Sequence, residues 1–267
     1  SDIANSNGIK TICGTFSENF SNKLKINFSG FDLIIANNVF NHANDPLDFA
    51  RGVKNLLNDN GTFIFEVPYW LDTINDYRFD QIYHEHISYF TVKSAKNILE
   101  TCGLYVYDVK YTEYHGGSIR IFCRKELVAP NKSVKNQIIK EEKAGLFDLG
   151  TYKKYMFKIK QKRFVLLNQI HKSIQNGIPV VAIGAAAKGN TLLNFYGLNS
   201  TMIEYVTDSS EHKIGKFTPL SRIPIMSDEH VFRKYQNVSA FFLSWNISEL
   251  IEEKIRLINN NIKFIKI

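Results

Sequence analysis

The densest group of chemically active side chains in the sequence is Tyr83-His84-Glu85-His86. It follows a predicted strand ending near Glu66, on the side where the carboxyl ends of strands form the ligand crevice of an open α/β sheet. If this stretch is helical, Tyr83 and His86 share one face and offer a hydroxyl and a base to one substrate. A surface loop with satisfied polar groups is one alternative. A zinc site is another, although His84 and His86 lack further ligands at a familiar spacing.

Two more histidines lie at places where a strand or a bend would expose them. His42 follows a predicted strand that ends at Ala36, a position that favours a functional role. His115 precedes Gly116-Gly117, and glycines allow a tight bend and the close approach of a ligand to the backbone. A structural role is the alternative for each of these side chains.

A run of small residues, Gly184–Asn190, indicates a tight turn from a strand into a helix. It matches neither G-x-G-x-x-G nor G-x-x-x-x-G-K-[ST]. Small side chains still expose backbone N–H groups at a helix N-terminus, which favours a phosphate, and Lys188 adds a positive charge. Tight packing of the strand against the helix by alanines is the alternative interpretation.

The elements that position these residues follow an α/β pattern with an antiparallel end in the first half of the chain. The near-continuous apolar run Phe31–Ala36 is typical of a strand buried on both faces of a parallel sheet. Asp45-Pro46 predicts a helix start, and Gly103 predicts a helix end. The predicted strands cover 9–13, 31–36, 62–67, 104–110 and 118–124, and the predicted helices cover 45–58 and 91–102.

The second half begins with a long helical stretch over 131–176, which Gly145 and Gly150 are expected to interrupt. A second alternation of strands and helices then predicts a second Rossmann-like α/β domain. Its predicted strands cover 178–183, 202–207, 238–243 and 262–267, with helices near 190–196 and 227–235 and from 248. We therefore predict three parts, a first domain over 1–126, a helical connector over 127–177 and a C-terminal domain over 178–267.

Composition excludes several classes of protein. The net charge is +7, but the basic residues are scattered apart from Lys153–Arg163, which reads as a solvated helix face, so nucleic acid is not an expected partner. No apolar run approaches the roughly 20 residues that span a bilayer, so we expect no membrane partner. Three cysteines are too few for a disulfide framework and fit a cytoplasmic protein. Nothing in the sequence specifies an oligomeric state.

Six segments occur in order along the chain: Glu66–Tyr69, Phe79–Phe90, His115–Arg120, Gly184–Leu193, Lys213–Pro219 and Ser221–Ile225. Together they resemble the S-adenosylmethionine-dependent C-methyltransferases that modify nucleotide-linked 4-keto-deoxysugars. The resemblance covers almost the whole chain and is far more specific than any single motif. It implies a class I methyltransferase sheet, followed by a Rossmann-like domain that anchors a nucleotide-diphosphate sugar.

The resemblance also implies segments that this sequence does not contain. The family has an N-terminal zinc-binding domain and a first methyltransferase strand with a glycine loop, and neither is present. Because the chain also opens with Ser1 rather than Met, we expect it to be the truncated C-terminal part of a longer enzyme and inactive by itself. Zinc is expected only in the absent domain. The residues expected to remain of the cofactor site are Phe16 near the adenine and Ala36, Asn37 and Asn38 near the methionine moiety.

The family chemistry implies roles for the polar residues. A ketone at C4 acidifies the proton at C3, and His86 is the expected base, with Glu85 orienting it or supporting its charge. Tyr83 would donate to the developing enolate oxygen, and His42 would be a second sugar contact or a back-up base. The expected substrate contacts are His84, His115, Lys188, Asn190 and Arg222.

Two other functions remain open from the sequence. The chain could be a nucleotide-sugar-binding module with no activity of its own. It could also be a nicotinamide-dependent oxidoreductase that uses Val180–Asn190 as its dinucleotide turn. The missing third glycine and the alanine run argue against the oxidoreductase.

Overall fold

The computed structural model describes residues 1–265, except for the side chain of His115. The chain divides into two compact units. The first contains Ser1–Leu71 and Glu85–Phe147, and the second contains Asp72–His84 and Asp148–Ile267. The segment 72–84 thus packs with the second unit, although the sequence on either side of it belongs to the first.

The first unit is built around a four-stranded mixed sheet in the order β1-β2-β4-β3. β1 and β2 are parallel, whereas β4 is antiparallel to both β2 and β3, as the sequence predicted for this half of the chain. The strands are β1 Phe31–Asn37, β2 Leu57–Pro68, β3 Tyr105–Thr112 and β4 Ser118–Arg124. The helices are α1 Asp2–Ser6, α2 Glu18–Leu24, α3 Pro46–Leu56, α5 Val92–Thr101 and α6 Lys132–Lys143, while α4 Trp70–Asn75 crosses into the second unit.

Local signals explain where the helices of this unit begin and end. The Asp45 carboxylate accepts hydrogen bonds from the backbone N–H groups of Leu47 and Asp48, which caps α3 as predicted. Gly103 follows α5 with φ +73°, a left-handed backbone that glycine adopts without strain. The predicted end of α3 near residue 58 is wrong, because the backbone turns extended at Leu57 and continues directly into β2.

Two strand predictions in the first unit are also wrong. No strand forms over 9–13, because the Asn5 side chain binds the backbone of Thr11, its Oδ1 accepting from the Thr11 N–H at 2.7 Å. β1 is not buried on both faces, since Leu33 and Ile35 remain 52% and 57% exposed. Alternate side chains of a strand point to opposite faces, so this exposure belongs to one face of β1.

An aromatic core fixes the rim of the first sheet. The Phe40 ring stacks on Phe90 at a centroid distance of 5.1 Å and lies 4.8 Å from Phe65 of β2. All three side chains are buried, and each contributes roughly 1.5–3 kcal/mol by leaving water. This packing holds two short segments against the sheet, the 3₁₀ turn Phe40–His42 and the stretch that ends at Phe90.

A buried carboxylate attaches α6 to the first unit. Glu141 is fully buried and accepts hydrogen bonds from the N–H groups of Val92 and Lys93 at 2.6 and 3.1 Å and from the Tyr69 hydroxyl at 2.9 Å. Burial raises the pKa of the Glu141 carboxyl, and these three donors oppose the rise. The predicted connector 127–177 is therefore shared between the units, with its first helix in the first unit.

The second unit has an all-parallel five-stranded sheet in the order β7-β6-β5-β8-β9. This is the order 3-2-1-4-5 of a Rossmann-like sheet, and the direction of winding reverses between β5 and β8. The strands are β5 Val180–Ile183, β6 Tyr205–Thr207, β7 Ile225–Met226, β8 Val238–Phe242 and β9 Ile262–Phe264. The helices are α7 Leu149–Gln175, α8 Ala187–Tyr196, α9 Asp228–Lys234 and α10 Ser248–Ile258.

Most predicted elements of the second unit are confirmed, but no strand was predicted at β7, and two further details differ. Gly145 follows α6 with φ +71°, as expected of a helix end, but Gly150 lies inside the first turn of α7. Its N–H donates to the Asp148 carboxylate, so Gly150 takes part in the helix cap instead of interrupting the helix. The final predicted strand extends to residue 267, and its last two residues lie outside the described part. No helix within residues 1–265 is long and apolar enough to cross a membrane.

Candidate active site

The parallel pair β1 and β2 ends in a polar rim in the first unit. Asn37 is paired with Glu66 in the register of the two strands, and the Asn38 N–H donates to the Glu66 carbonyl at 2.7 Å. Asn38 has φ +52°, a left-handed conformation that asparagine tolerates better than most residues. Ala36, Asn37 and Asn38, predicted to hold the methionine moiety, thus lie where ligands bind to open α/β sheets.

An ion pair at the same rim was not assigned from the sequence. The Glu66 carboxylate is 5% exposed and one of its oxygens accepts from Arg120 Nε and Nη2 at 3.0 and 2.7 Å. Such charge-assisted pairs fix side-chain geometry strongly. Both residues belong to segments that carry the family resemblance, and this membership was the only sign in the sequence that they could be functional.

His42 and His86 come together in the first unit. Their ring centroids are 5.2 Å apart in an edge-to-face arrangement, and both residues are half-buried. The Asn41 carbonyl accepts hydrogen bonds from the N–H groups of Ile87 and Ser88 at 3.0 and 3.1 Å, which fixes the two segments side by side. Two adjacent imidazoles can provide a general base and a second polar group beside it.

The side chain between these segments is unusual. Asn41 is 2% exposed, and within residues 1–265 neither polar atom of its amide has a hydrogen-bond partner. Leaving a buried polar group unsatisfied costs about 1–3 kcal/mol. Violations of this kind concentrate at functional sites, so Asn41 supports the location of the site although the sequence did not single it out.

The Tyr83–His86 turn is not helical, so the condition under which Tyr83 and His86 would share a helical face is not met. The chain forms a bend and a turn here after the 3₁₀ helix Phe79–Gln81, and the next N–H groups bind the Asn41 carbonyl instead of continuing a helix. Tyr83 and His84 pack with the second unit, their rings 5.7 Å apart, whereas Glu85 and His86 belong to the first. Glu85 and His84 are exposed, and Tyr83 is half-buried.

Two other predicted site residues have simple placements. The Phe16 ring lies 4.7 Å from the ring of Phe49 of α3 and is half-buried. The backbone of His115 lies in a 3₁₀ turn between β3 and β4, but its side chain is outside the described part.

In the second unit, the small-residue loop is anchored by an aspartate at the end of the neighbouring strand. Gly184 has φ +88° and donates its N–H to the Thr207 carbonyl at 2.7 Å. The Ala185 N–H donates to Asp208 Oδ2 at 2.8 Å, and Lys213 Nζ lies 3.1 Å from the same oxygen. The loop therefore enters α8 with its conformation fixed by β6.

Two cavities flank this loop at the carboxyl edge of the second sheet. The first is about 360 Å³ and includes Thr207, Asp208, Asp228, Ser244 and Lys254 in its lining. The second is about 440 Å³ and includes Asn190, His212, Lys213, Lys216 and Phe217. Volumes of this size accommodate a small ligand, and the second cavity has the cations that an anionic ligand needs.

The three residues predicted to contact the diphosphate differ in placement. Asn190 lines the second cavity. Arg222 is exposed, has φ +55° and lies with its guanidinium 5.4 Å from the Phe217 ring. Lys188 lines neither cavity, because its ammonium lies 3.9 Å above the Trp245 ring and donates to Asn246 Oδ1 at 2.6 Å. Burial lowers the pKa of Lys188 to about 8.

Comparison with known families identifies the class of protein. Residues 3–109 match the family model described as a methyltransferase domain, and residues 113–267 match the C-methyltransferase C-terminal domain. The chain therefore belongs to the C-methyltransferase family, which confirms the resemblance and the predicted class I methyltransferase fold.

A particular relative is C-methyltransferase NovU of Streptomyces niveus, 30% identical over 270 residues. That match covers 98% of this chain and 63% of NovU, so the chain spans less than two-thirds of the relative. Among solved structures, a possible histamine N-methyltransferase of Thermotoga maritima is 14% identical with a TM-score of 0.37, over 47% of this chain and 68% of that one. A complex of M1.HpyAVI with S-adenosylmethionine is 10% identical with a TM-score of 0.26, over 94% and 90%. Neither score is high enough to support an argument.

Proposed function

We propose that the protein methylates a nucleotide-linked 4-keto-deoxysugar at C3, using S-adenosylmethionine. The observation that carries the proposal is the pair of imidazoles, His42 and His86, held together in a unit whose fold is that of a methyltransferase. Family membership supports methyl transfer to carbon and favours it over a nicotinamide-dependent oxidation. The keto-sugar, its nucleotide and a cytoplasmic location remain predictions.

The residues present fit the methionine moiety of the cofactor. The Asn37 side chain is exposed at the end of β1, and the left-handed Asn38 turns the backbone there. Amide donors and acceptors suit a free amino acid head group. When bound, S-adenosylmethionine supplies an electrophilic methyl group. Phe16 is half-buried beside Phe49, and its apolar ring suits a contact with the adenine.

The protein residues carry the proton chemistry. We assign His86 as the base that takes the proton from C3, while the C–H electron pair moves toward the C4 oxygen and makes C3 nucleophilic. Tyr83 donates a hydrogen bond to that oxygen as its charge develops. His42 is a second contact on the sugar or a reserve base, and the exposed Glu85 supports the charge that His86 gains. His84 and His115 are assigned to substrate contact on the family pattern alone.

The second unit is assigned to the nucleotide part of the substrate. His212, Lys213 and Lys216 line the larger cavity together with Asn190, and this charge suits a diphosphate. Arg222 lies on the neighbouring loop, where Leu220 and Arg222 both have positive φ. Left-handed non-glycine residues cost about 1–3 kcal/mol each and cluster at ligand clamps. This strain supports a binding role for the loop.

Replacing the proposed base tests the assignment. In the complete natural protein, His86→Asn should lower turnover by about 10²–10⁴-fold, the usual contribution of general base catalysis. The matched control is His230→Asn, because His230 is an exposed histidine of α9 in the other unit. Wild-type turnover by the His86 variant would overturn the assignment.

A second candidate function is a nucleotide-sugar-binding module without activity, and the two cavities of the second unit favour it. Calorimetry on the complete natural protein distinguishes the two functions. Affinity for a thymidine diphosphate sugar with no affinity for S-adenosylmethionine in the complete natural protein would support the module. Binding of both ligands would support the methyltransferase.

A further inference from the structure

A segment of the chain that ends with the proposed catalytic residue Tyr83 and its neighbour His84 packs in the second unit, although the chain on either side belongs to the first. It covers 72–84, begins in α4 and ends at Tyr83 and His84. The contacts that hold this segment in the second unit therefore contribute to the position of Tyr83.

The strongest anchor is a hydrogen bond between residues 165 positions apart in sequence. Trp245 Nε1 donates to Asp80 Oδ2 at 2.6 Å, and Asp80 is only 3% exposed. A buried carboxylate is costly unless it is paired, so this contact has a strong energetic reason to persist. Burial raises the pKa of Asp80, while the Trp245 bond and the Lys188 charge oppose the rise.

A second anchor lies one residue earlier. The Phe79 ring packs on Phe195 and Tyr196 of α8, with both centroid distances at 5.0 Å. Phe79 is 8% exposed and Tyr196 is fully buried, so the contact is part of the core of the second unit. Phe79 and Asp80 are thus fixed to α8 and to the loop after β8.

The same anchor is connected to the loop assigned to the nucleotide. α8 starts directly after Gly184–Ala186, and Lys188 in its first turn lies over the Trp245 ring. The Arg78 guanidinium lies 4.5 Å from the same ring. Trp245 therefore contacts the first turn of α8 with its ring and the segment before Tyr83 with its N–H.

We propose that Trp245 and Asp80 are positioning residues through which the second unit, when it holds the sugar nucleotide, sets the place of Tyr83 in the reaction. This inference rests on the function proposed above. It assigns the second unit a part in catalysis as well as in binding. Neither residue touches the reacting atoms in this account, because both act through Tyr83.

Trp245→Phe tests the proposal, because it keeps an aromatic ring at this position and removes the N–H donor together with part of the indole. In the complete natural protein it should lower kcat roughly 10- to 100-fold, the effect of a small misplacement of a catalytic group. The KM for S-adenosylmethionine should stay unchanged. Tyr235→Phe is the matched control, since it removes a surface hydrogen bond to Glu204 in the same unit and should leave kcat unchanged.

A double-mutant cycle with Tyr83→Phe separates positioning from a general structural role. Tyr83→Phe alone should cost about 10²–10³-fold in kcat as an oxyanion donor. Adding Trp245→Phe should then cost little more, because the positioned group is already gone. Losses that multiply, or an unchanged kcat in Trp245→Phe, would overturn the proposal.

Variants of Asp80 test the same proposal independently if Trp245→Phe folds poorly. Asp80→Asn keeps an oxygen that accepts from Trp245 and should retain kcat within about threefold. Asp80→Leu removes the acceptor and should behave like Trp245→Phe, again without further loss in the Tyr83→Phe background. Equal losses in Asp80→Asn and Asp80→Leu would contradict the positioning role. Absence of methyl transfer from S-adenosylmethionine to the nucleotide-linked 4-keto sugar by the wild-type complete protein would instead refute the proposed function itself.

Discussion

The two units of this chain hold their candidate functional side chains in different surroundings. In the first, His42 and His86 lie together half-exposed, and the buried amide of the nearby Asn41 has no hydrogen-bond partner among the described residues. In the second, the charged side chains near the loop are paired, Lys188 with Asn246 and Asp80 with Trp245. Half-exposed imidazoles can reach a substrate, whereas hydrogen-bonded charged groups hold a binding surface in shape. The contrast suggests that the reaction and the anchoring of the substrate are divided between the units.

The chain has two tryptophans, one in each unit, which makes the comparison measurable. Trp70 belongs to the first unit and Trp245 to the second, and both are half-buried. Fluorescence of a Trp245→Phe variant therefore reports the first unit, and that of a Trp70→Phe variant reports the second.

The largest expected effect on stability comes from Glu141 in the first unit. Glu141→Ala leaves the N–H groups of Val92 and Lys93 and the Tyr69 hydroxyl without their acceptor, and should lower the free energy of unfolding by roughly 3 kcal/mol. Urea unfolding followed by Trp70 fluorescence measures the loss. Glu142→Ala removes only an exposed ion pair with Lys93 and should cost less than about 1 kcal/mol.

If the two units unfold independently, Glu141→Ala should not shift the urea unfolding transition that Trp245 fluorescence reports. An equal shift of both tryptophan signals would show that the two units unfold as one, and the contrast between them would then not extend to their stability.

A smaller effect is expected from Lys188 in the second unit. Its folded pKa of about 8 lies below the ordinary value near 10.5, because burial disfavours the charged form. Between these two pH values the unfolded chain binds more protons, so the free energy of unfolding should rise as pH rises through this window. After allowance for solvent screening, the rise should be about 1–2 kcal/mol.

Trp245 fluorescence in a Trp70→Phe background should follow the same titration, because the Lys188 ammonium lies over the indole ring. Lys188→Met should abolish both the fluorescence change and the rise in stability. A titration near pH 8 that persists in Lys188→Met would assign it to another group.

The sequence predicted the elements better than the contacts between them. Local capping signals located the start of α3 and the end of α5, and apolar runs located β1 and its neighbour β2. The apolar run Phe31–Ala36 also predicted burial on both faces of the strand, which is wrong because Leu33 and Ile35 are exposed. Nothing in the apolar pattern distinguishes these two residues from buried ones. Whether a strand face is covered depends on tertiary neighbours.

In the candidate site, too, the residues could be predicted from the sequence but the contacts between them could not. Residue type and family pattern were enough to single out His42 and His86, but their association depends on the Asn41 carbonyl, which binds N–H groups far along the chain. That long-range contact also explains why the turn at 83–86 is not a helix. The Asp80–Trp245 bond joins residues 165 positions apart, a separation at which no local pattern is informative.

The most direct test of the central claim is hydrogen exchange at the carbon next to the ketone. The complete natural protein, incubated in D₂O with the nucleotide-linked 4-keto sugar and without S-adenosylmethionine, should exchange the C3 proton, as followed by NMR. His86→Asn should slow this exchange by at least about 10²-fold while the affinity for the sugar nucleotide stays the same. Exchange at the wild-type rate in His86→Asn would contradict the account.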